Sequence, residues 1–185
     1  MTYLNSNQLK QYSDEGFVSP VNIFSKEKAK EIREEIELIE KKLPNELEKT
    51  GRYNAHLISP MLDEVTHNEN ILNAVESLIG GNILVCGTTL FIKNPGEDGF
   101  VSYHQDAKYI GLEPHNWVTA WVAITDSNEN NGCMKMWSGS HKDNLKEHDQ
   151  NFNENNLLTR GQTVNNVPDD QIVPLVLNAG QMSLH

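Results

Sequence analysis

The spacing of apolar residues changes once along this chain, near residue 82, and this change restricts the folds that the chain can adopt. Before it, apolar residues recur at three- and four-residue steps, which is typical of α-helices that bury one face. After it, short segments rich in β-branched and aromatic residues are separated by turn sequences, which is typical of sheets. The sequence therefore predicts an α+β protein that is mainly β, with flanking helices.

The N-terminal part, residues 1–81, is predicted to be mostly helical. Ser25 is a suitable N-cap for its longest helix, and Pro44 marks the end of that helix. Pro20 restricts the extended segment before this helix to the edge or end of a sheet, because proline has no backbone N–H to donate. The predicted helices are residues 7–15, 26–43, 61–65 and 71–79.

The C-terminal part, residues 82–185, is predicted to form the β core. Residues 142–170 are polar and poorly periodic, which indicates a long loop or lid. Because a strand that stops within a sheet leaves backbone groups unpaired, we expect the sequence to be a C-terminally incomplete piece of a longer protein. The predicted strands lie within residues 83–93, 100–110, 117–125, 133–137, 172–178 and 181–185.

Length and charge restrict the class of protein. A chain of 185 residues fits a single domain. Its net charge of −11 argues against nucleic acid and anionic membranes as partners, because both require a basic surface. A small-molecule substrate is compatible, since a metal ion or a local basic residue can bind an acid within a negative protein. No targeting segment is evident at the N-terminus, so a cytoplasmic location is expected, and the sequence does not indicate an oligomeric state.

The tripeptide His104-Gln105-Asp106 is the main candidate for chemistry. On a strand, positions i and i+2 face the same side, so the imidazole of His104 and the carboxylate of Asp106 can reach one metal ion. With a distant second histidine they would form the 2-His-1-carboxylate triad of non-haem Fe(II) oxygenases, which leaves coordination positions open. Alone the pattern is weak, because a surface histidine near an aspartate produces it equally well.

Three ordered blocks give this tripeptide a context. They are TTLFIKNPGEDGFVSYHQD, VTAWVAITDSNENNGCMKMWSGSHK and AGQMSLH. In their order and separation these blocks resemble the phytanoyl-CoA dioxygenase family of Fe(II)- and 2-oxoglutarate-dependent oxygenases. The resemblance runs from about residue 80 to the end of the sequence, and more loosely over the N-terminal helices.

The resemblance implies a single oxygenase domain with a double-stranded β-helix (jelly-roll, cupin-like) core. It implies Fe(II), 2-oxoglutarate as cosubstrate and O₂, with His104 and Asp106 as catalytic metal ligands. The third ligand and an arginine that binds 2-oxoglutarate are expected beyond His185. His185 itself is a weak candidate for the third ligand. By the family register, His185 is a strand residue that lies just before that ligand.

Four further residues match cosubstrate-contacting positions of the family. Gln105 lies between the two ligands, Leu90 lies on the preceding strand, and Trp121 lies in the second block, whereas His56 matches in a looser register. For Leu90 and Trp121, ordinary core packing is the alternative role. His115, His141 and His148 are interpreted as loop or turn histidines.

The implied reaction is hydroxylation of an unactivated C–H bond in a small organic substrate, with succinate and CO₂ as coproducts. The presence of Asp106 favours hydroxylation over halogenation, because related halogenases replace this carboxylate with a small residue. Two alternatives stay open: a catalytically inactive binding module on the same fold, and a zinc-dependent cupin-like hydrolase. The substrate itself is not indicated by the sequence.

Overall fold

The computed structural model describes residues 3–44, 52–158 and 160–185. Its helices are α1 (Ser6–Glu15), α2 (Lys26–Lys42), α3 (Pro60–Thr66), α4 (Glu69–Ile79) and α5 (Ala107–Ile110). Its strands are β1 (Val18–Asn22), β2 (Ala120–Val122), β3 (Lys135–Trp137), β4 (Asp149–Gln150), β5 (Gln162–Thr163), β6 (Ile172–Pro174) and β7 (Gln181–Leu184). Within these ranges, no helix is both long and apolar enough to cross a membrane.

Helices α1 to α4 begin and end within two residues of the predicted bounds. Local capping explains this agreement, because the side chain of Ser25 accepts a hydrogen bond from the backbone N–H of Lys28 at the start of α2. The buried face of α2 carries Ile32, Ile36 and Ile39, which is the stripe that the apolar spacing predicts. Helix formation here depends on neighbours in sequence, so the sequence was sufficient to find it.

A three-stranded antiparallel sheet of order β1-β7-β2 joins the two parts of the chain. Strand β1 lies at its edge, as Pro20 predicts. Met182 and Leu184 of the central strand are fully buried and pack in one cluster with Val18 and Val21 of β1. Helix α4 contributes Ile71, Ala74 and Val75 to the same cluster. One face of β7 is therefore part of the main core.

Two predicted strands are wrong. Residues 83–93 form no extended ladder and make one isolated bridge, between Thr89 and Tyr53, and residues 100–110 make one bridge at Phe100 before turning into α5. A strand needs a continuous partner for its backbone groups, and within the described residues each segment has isolated backbone hydrogen bonds and a single bridge in place of a ladder. Within the described ranges the strands form three small sheets, and no closed jelly roll is present.

The segment 142–170 is largely irregular, as predicted, and contains a short antiparallel pair formed by β4 and β5. It packs directly against the segment that carries the His104-Gln105-Asp106 tripeptide. The backbone N–H of Val164 donates to the carbonyl of Tyr103 at 2.7 Å, and the hydroxyl of Ser102 donates to the carbonyl of Gln162 at 2.7 Å. The long loop thus helps to hold the candidate metal ligands in place.

Candidate metal centre

The side chains of His104 and Asp106 converge. The Nε2 atom of His104 lies 3.2 Å from Oδ1 of Asp106, and both side chains are largely buried. The two residues do not lie on a strand, which corrects the argument from alternation. Asp106 has helical backbone angles (φ −56°, ψ −37°) and precedes α5, so the chain turns between the two residues and brings the side chains together.

The imidazole of His104 is oriented by the backbone. Its Nδ1 atom lies 2.7 Å from the carbonyl oxygen of Ser102, which requires a proton on Nδ1 and leaves Nε2 directed toward Asp106. The ring also stacks on Tyr109, with 6.0 Å between the ring centroids. Burial opposes ionisation, but the hydrogen bonds to Asp106 and Ser102 outweigh it and raise the pKa of His104. Such a backbone bond is how proteins present Nε2 to a metal ion.

The carboxylate of Asp106 accepts hydrogen bonds on both oxygens. The Thr119 hydroxyl donates to Oδ2 at 2.6 Å, and the Tyr109 hydroxyl donates to Oδ1 at 2.7 Å. Burial would raise the pKa of Asp106, but the bonds from His104, Thr119 and Tyr109 together lower it well below the usual range. Burial and the adjacent carboxylate raise the pKa of the Tyr109 phenol, so that it stays a donor.

One face of the β2–β7 ladder borders this pair. Thr119 extends the ladder by exchanging two backbone hydrogen bonds with His185, at 2.7 and 3.1 Å, and Trp121 pairs with Ser183. Paired residues and residues two apart share a face, so Thr119, Trp121, Ser183 and His185 lie on the side of the sheet that reaches Asp106. The opposite side carries the apolar residues of the main core.

Two buried polar atoms on this face have no hydrogen-bond partner. They are Oγ of Ser183 and Nδ1 of His185. Unpaired buried polar groups are costly and rare in folded proteins, so their presence beside an imidazole–carboxylate pair indicates a place for a polar ligand. The donor types and the orphaned atoms together fit an ion such as Fe(II) with a polar cosubstrate.

His185 is close to this pair without completing a metal site. Within the part of the chain that the structure describes, no group of three or more His, Cys, Asp and Glu side chains could hold a metal ion. Burial lowers the pKa of His185 to about 4, with Asp106 acting in the opposite direction and His104 in the same direction. The imidazole of His185 is therefore neutral at pH 7, and its place at the end of the ladder agrees with a strand residue.

The depressed pKa of His185 gives a stability prediction. The unfolded chain takes up a proton near the ordinary histidine pKa of 6.5, whereas the folded chain does so near 4. Stability should therefore be complete above pH 6.5 and fall by up to about 3 kcal/mol as the pH is lowered to 4. Urea unfolding across this pH range checks it, on metal-free protein.

The substitution His185→Gln should flatten that slope, and His115→Gln, at an exposed histidine, should leave it unchanged. The raised pKa of His104 affects stability above pH 6.5, and the lowered pKa of Asp106 affects it below 4, so neither contributes within this window. An unchanged slope in His185→Gln would show that His185 is accessible to protons in the folded protein.

A comparison with known families assigns the chain to one of them. The model of the family described as phytanoyl-CoA dioxygenase (PhyH) matches residues 12–185, which is nearly the whole chain. The chain belongs to the phytanoyl-CoA dioxygenase family. The resemblance seen in the three sequence blocks is confirmed, and the match also includes most of the N-terminal helices.

Individual phytanoyl-CoA dioxygenase relatives are moderately similar. The peroxisomal phytanoyl-CoA dioxygenase of Rattus norvegicus is 29% identical over 169 residues, which cover 79% of this chain and 50% of that enzyme. The phytanoyl-CoA dioxygenase domain-containing protein 1 of Danio rerio is 33% identical over 91 residues, which cover 49% of this chain and 31% of that protein. The chain thus spans half or less of the length of these curated relatives.

Solved structures show the same relationship. The non-heme monooxygenase ThoJ superposes with a TM-score of 0.81 at 30% identity, over 96% of this chain and 67% of that one. CytC3, solved with Fe(II) and alpha-ketoglutarate, gives a TM-score of 0.66 at 23% identity, over 98% of this chain and 67% of that one, and shows the shared fold. The match to ThoJ supports an oxygenase of the phytanoyl-CoA dioxygenase type.

The four positions that the phytanoyl-CoA dioxygenase resemblance assigned to the cosubstrate lie in different surroundings. Trp121 lies on the face of β2 that reaches Asp106. The Oε1 atom of Gln105 accepts from the backbone N–H of Lys146 at 2.7 Å, and Gln105 lines a cavity together with His104 and Trp137. Contact of Gln105 with the cosubstrate stays a prediction.

Leu90 and His56 lie near the second core cluster, which α2 and α3 share. Leu90 packs against that cluster, and its backbone N–H donates to the carbonyl of Arg52 at 2.8 Å. The Nδ1 atom of His56 lies 2.8 Å from the hydroxyl of Thr88. The packing of Leu90 agrees with the alternative role of a core residue, and direct contact of either residue with a cosubstrate stays a prediction.

The structure adds contacts around the pair that the sequence did not indicate. Thr119 and Tyr109 bind the carboxylate of Asp106, and the Nε2 atom of His148 accepts the backbone N–H of Gln105 at 2.9 Å. Tyr109 is three residues after Asp106, which places both on one face of a helical turn, so the correct assignment of α5 would have found it. Thr119 and His148 have no local signal, because they approach only through tertiary structure.

Proposed function

We propose that this chain contains the iron-binding part of an Fe(II)- and 2-oxoglutarate-dependent dioxygenase that hydroxylates a C–H bond of a small organic substrate. The observation that carries the proposal is the convergence of His104 Nε2 and Asp106 Oδ1 at 3.2 Å, with each side chain fixed by further hydrogen bonds. Membership of the phytanoyl-CoA dioxygenase family supports it.

In this proposal His104 and Asp106 supply two of the metal ligands. Bound Fe(II) supplies redox chemistry with O₂ and 2-oxoglutarate, with succinate and CO₂ as coproducts. His104 presents Nε2 because Ser102 holds the proton of Nδ1, and Asp106 stays ionised because three donors stabilise its charge. The pair is thus preorganised before a metal ion arrives.

The residues around the pair would bind and orient the organic ligands. Ser183 and His185 offer buried polar atoms that a carboxylate or carbonyl group can satisfy, and Trp121 offers a flat apolar surface on the same face. Ser183 on this face is fully buried, and Thr119, Trp121 and His185 are partly buried. Because Asp106 occupies the position where a halogenase has a small residue, we propose hydroxylation as the outcome.

The proposal is tested with protein expressed from the full reading frame. Anaerobic addition of Fe(II) and 2-oxoglutarate should produce a visible charge-transfer band, and admission of O₂ with a library of small organic acids and esters should produce succinate above the level without substrate. A zinc hydrolase would turn over a substrate without O₂. An inactive binding module would give neither the band nor succinate, and either result would contradict the proposal.

A further inference from the structure

We propose that Thr119 is a positioning residue that makes Asp106 a metal ligand through one oxygen only, and that Trp117 orients the Thr119 hydroxyl for this purpose. This inference rests on the proposed function, because it concerns how the metal ligand is held. The Thr119 hydroxyl lies 2.6 Å from Oδ2 of Asp106, which is the oxygen directed away from His104.

The direction of the hydrogen bonds is fixed by chemistry. The indole Nε1 of Trp117 lies 3.1 Å from Oγ1 of Thr119, and an indole N–H can only donate. A carboxylate can only accept. The Thr119 hydroxyl therefore accepts from Trp117 and has its own proton directed at Asp106. Successive donors in such a chain strengthen one another, and this chain ends on the charge of Asp106.

The backbone holds Thr119 where this bond requires it. Both backbone groups of Thr119 are hydrogen-bonded to His185, at 2.7 and 3.1 Å, at the end of the β2–β7 ladder. Its β-branched side chain has few rotamers, so the hydroxyl has little freedom once the backbone is fixed. Thr119 is thirteen residues from Asp106 in sequence, and the bond ties the turn before α5 to the central sheet.

The hydrogen bond from Thr119 affects how many coordination positions of a bound metal ion Asp106 would occupy. With Oδ2 engaged by Thr119, Oδ1 is the oxygen that lies beside His104 Nε2, and it is the oxygen that would bind a metal ion held by the pair. Tyr109 also donates to Oδ1, but a carboxylate oxygen has a second lone pair that can bind the metal. A carboxylate bound through both oxygens would occupy a position that the cosubstrate or O₂ needs. Thr119 thus preserves the open positions on which the oxygenase depends.

The test uses Co(II) as a spectroscopic probe, since N and O ligands bind it more tightly than Fe(II). Thr119→Val keeps the branched shape and removes the donor, so we expect affinity for Co(II) to fall roughly 10- to 100-fold. The visible Co(II) absorption should also weaken as the freed carboxylate binds through both oxygens. Thr119→Ser should restore affinity and spectrum, and Trp117→Phe should give an intermediate loss.

Thr125→Val, at an exposed threonine just after β2, is the matched control and should behave as wild type. Thermal unfolding of the metal-free variants shows whether a loss of Co(II) affinity is caused by a loss of folding. If Thr119→Val does not fold, the comparison of Trp117→Phe with Thr119→Ser tests the proposal. Wild-type affinity and spectrum in Thr119→Val, or in Trp117→Phe in that case, would overturn the assignment and leave the proposed function intact. Failure of the wild-type protein to bind Co(II) and Fe(II) would overturn the proposed function and this inference together.

Discussion

Replacing Asp106 with alanine is expected to lower Fe(II) affinity at least ~100-fold and to abolish succinate formation above background. The substitution removes the only carboxylate placed beside Nε2 of His104 in the described part of the chain, and it leaves an imidazole as the remaining ligand from this segment. It also removes the acceptor of the Thr119 and Tyr109 hydroxyls. Calorimetric titration with Fe(II) under anaerobic conditions measures the affinity, and chromatography of the reaction mixture measures succinate.

Asp98→Ala provides the matched control for this change, because Asp98 is an exposed carboxylate on the same part of the chain. His104→Ala should reproduce the loss seen in Asp106→Ala, whereas His115→Ala should not. Equal Fe(II) affinity in Asp106→Ala and Asp98→Ala would show that the pair is a hydrogen-bonded structural element and that the iron, if present, binds elsewhere.

Replacing Gly180 with alanine is expected to destabilise the fold by roughly 3 kcal/mol or more. Gly180 has φ +89°, and a Cβ atom there would overlap the backbone carbonyl of Phe24, with the carbonyl carbon at 3.0 Å and Ser25 O at 3.3 Å. Backbone atoms cannot rotate away as a side chain can. Urea unfolding at constant pH measures the free energy of unfolding.

The loss has a structural reason beyond the local clash. The carbonyl of Gly180 accepts the backbone N–H groups of Ile23 and Phe24, at 3.0 and 2.9 Å, and its N–H donates to Ala123 at 2.8 Å. One residue therefore connects the ends of β1 and β2 to the start of β7. Displacing it would also move Ser183, so substitution should disturb the sheet face that carries Ser183 and His185 as well as the core.

Gly96→Ala separates the two contributions. Gly96 has a similar φ of +82°, but no heavy atom lies within 4 Å of the position of a Cβ. Its substitution should cost only the left-handed backbone penalty of about 1 kcal/mol. Similar losses in Gly180→Ala and Gly96→Ala would mean that the Phe24 backbone moves aside freely.

The helix predictions are correct and two strand predictions are wrong because helices depend on residues close in sequence, whereas strands depend on partners that are distant in sequence. The helices were found because caps such as Ser25 and the spacing of Ile32, Ile36 and Ile39 act within a few residues. The segments 83–93 and 100–110 were misassigned because strand formation depends on a partner that the sequence does not name. The three sequence blocks identified the family without either assignment.

The sequence by itself determined the helices, the edge position of Pro20, the family, and His104 with Asp106 as the candidate ligands, because these depend on local order and on motif spacing. Only the tertiary structure decided how the pair meets: through a helical turn at Asp106 instead of strand alternation. It also decided that Thr119 holds the second carboxylate oxygen and that Ser183 and His185 present unpaired polar atoms. The residues involved are far apart in sequence. Whether their side chains form hydrogen bonds depends on their distance in the folded protein, and local sequence patterns do not indicate that distance.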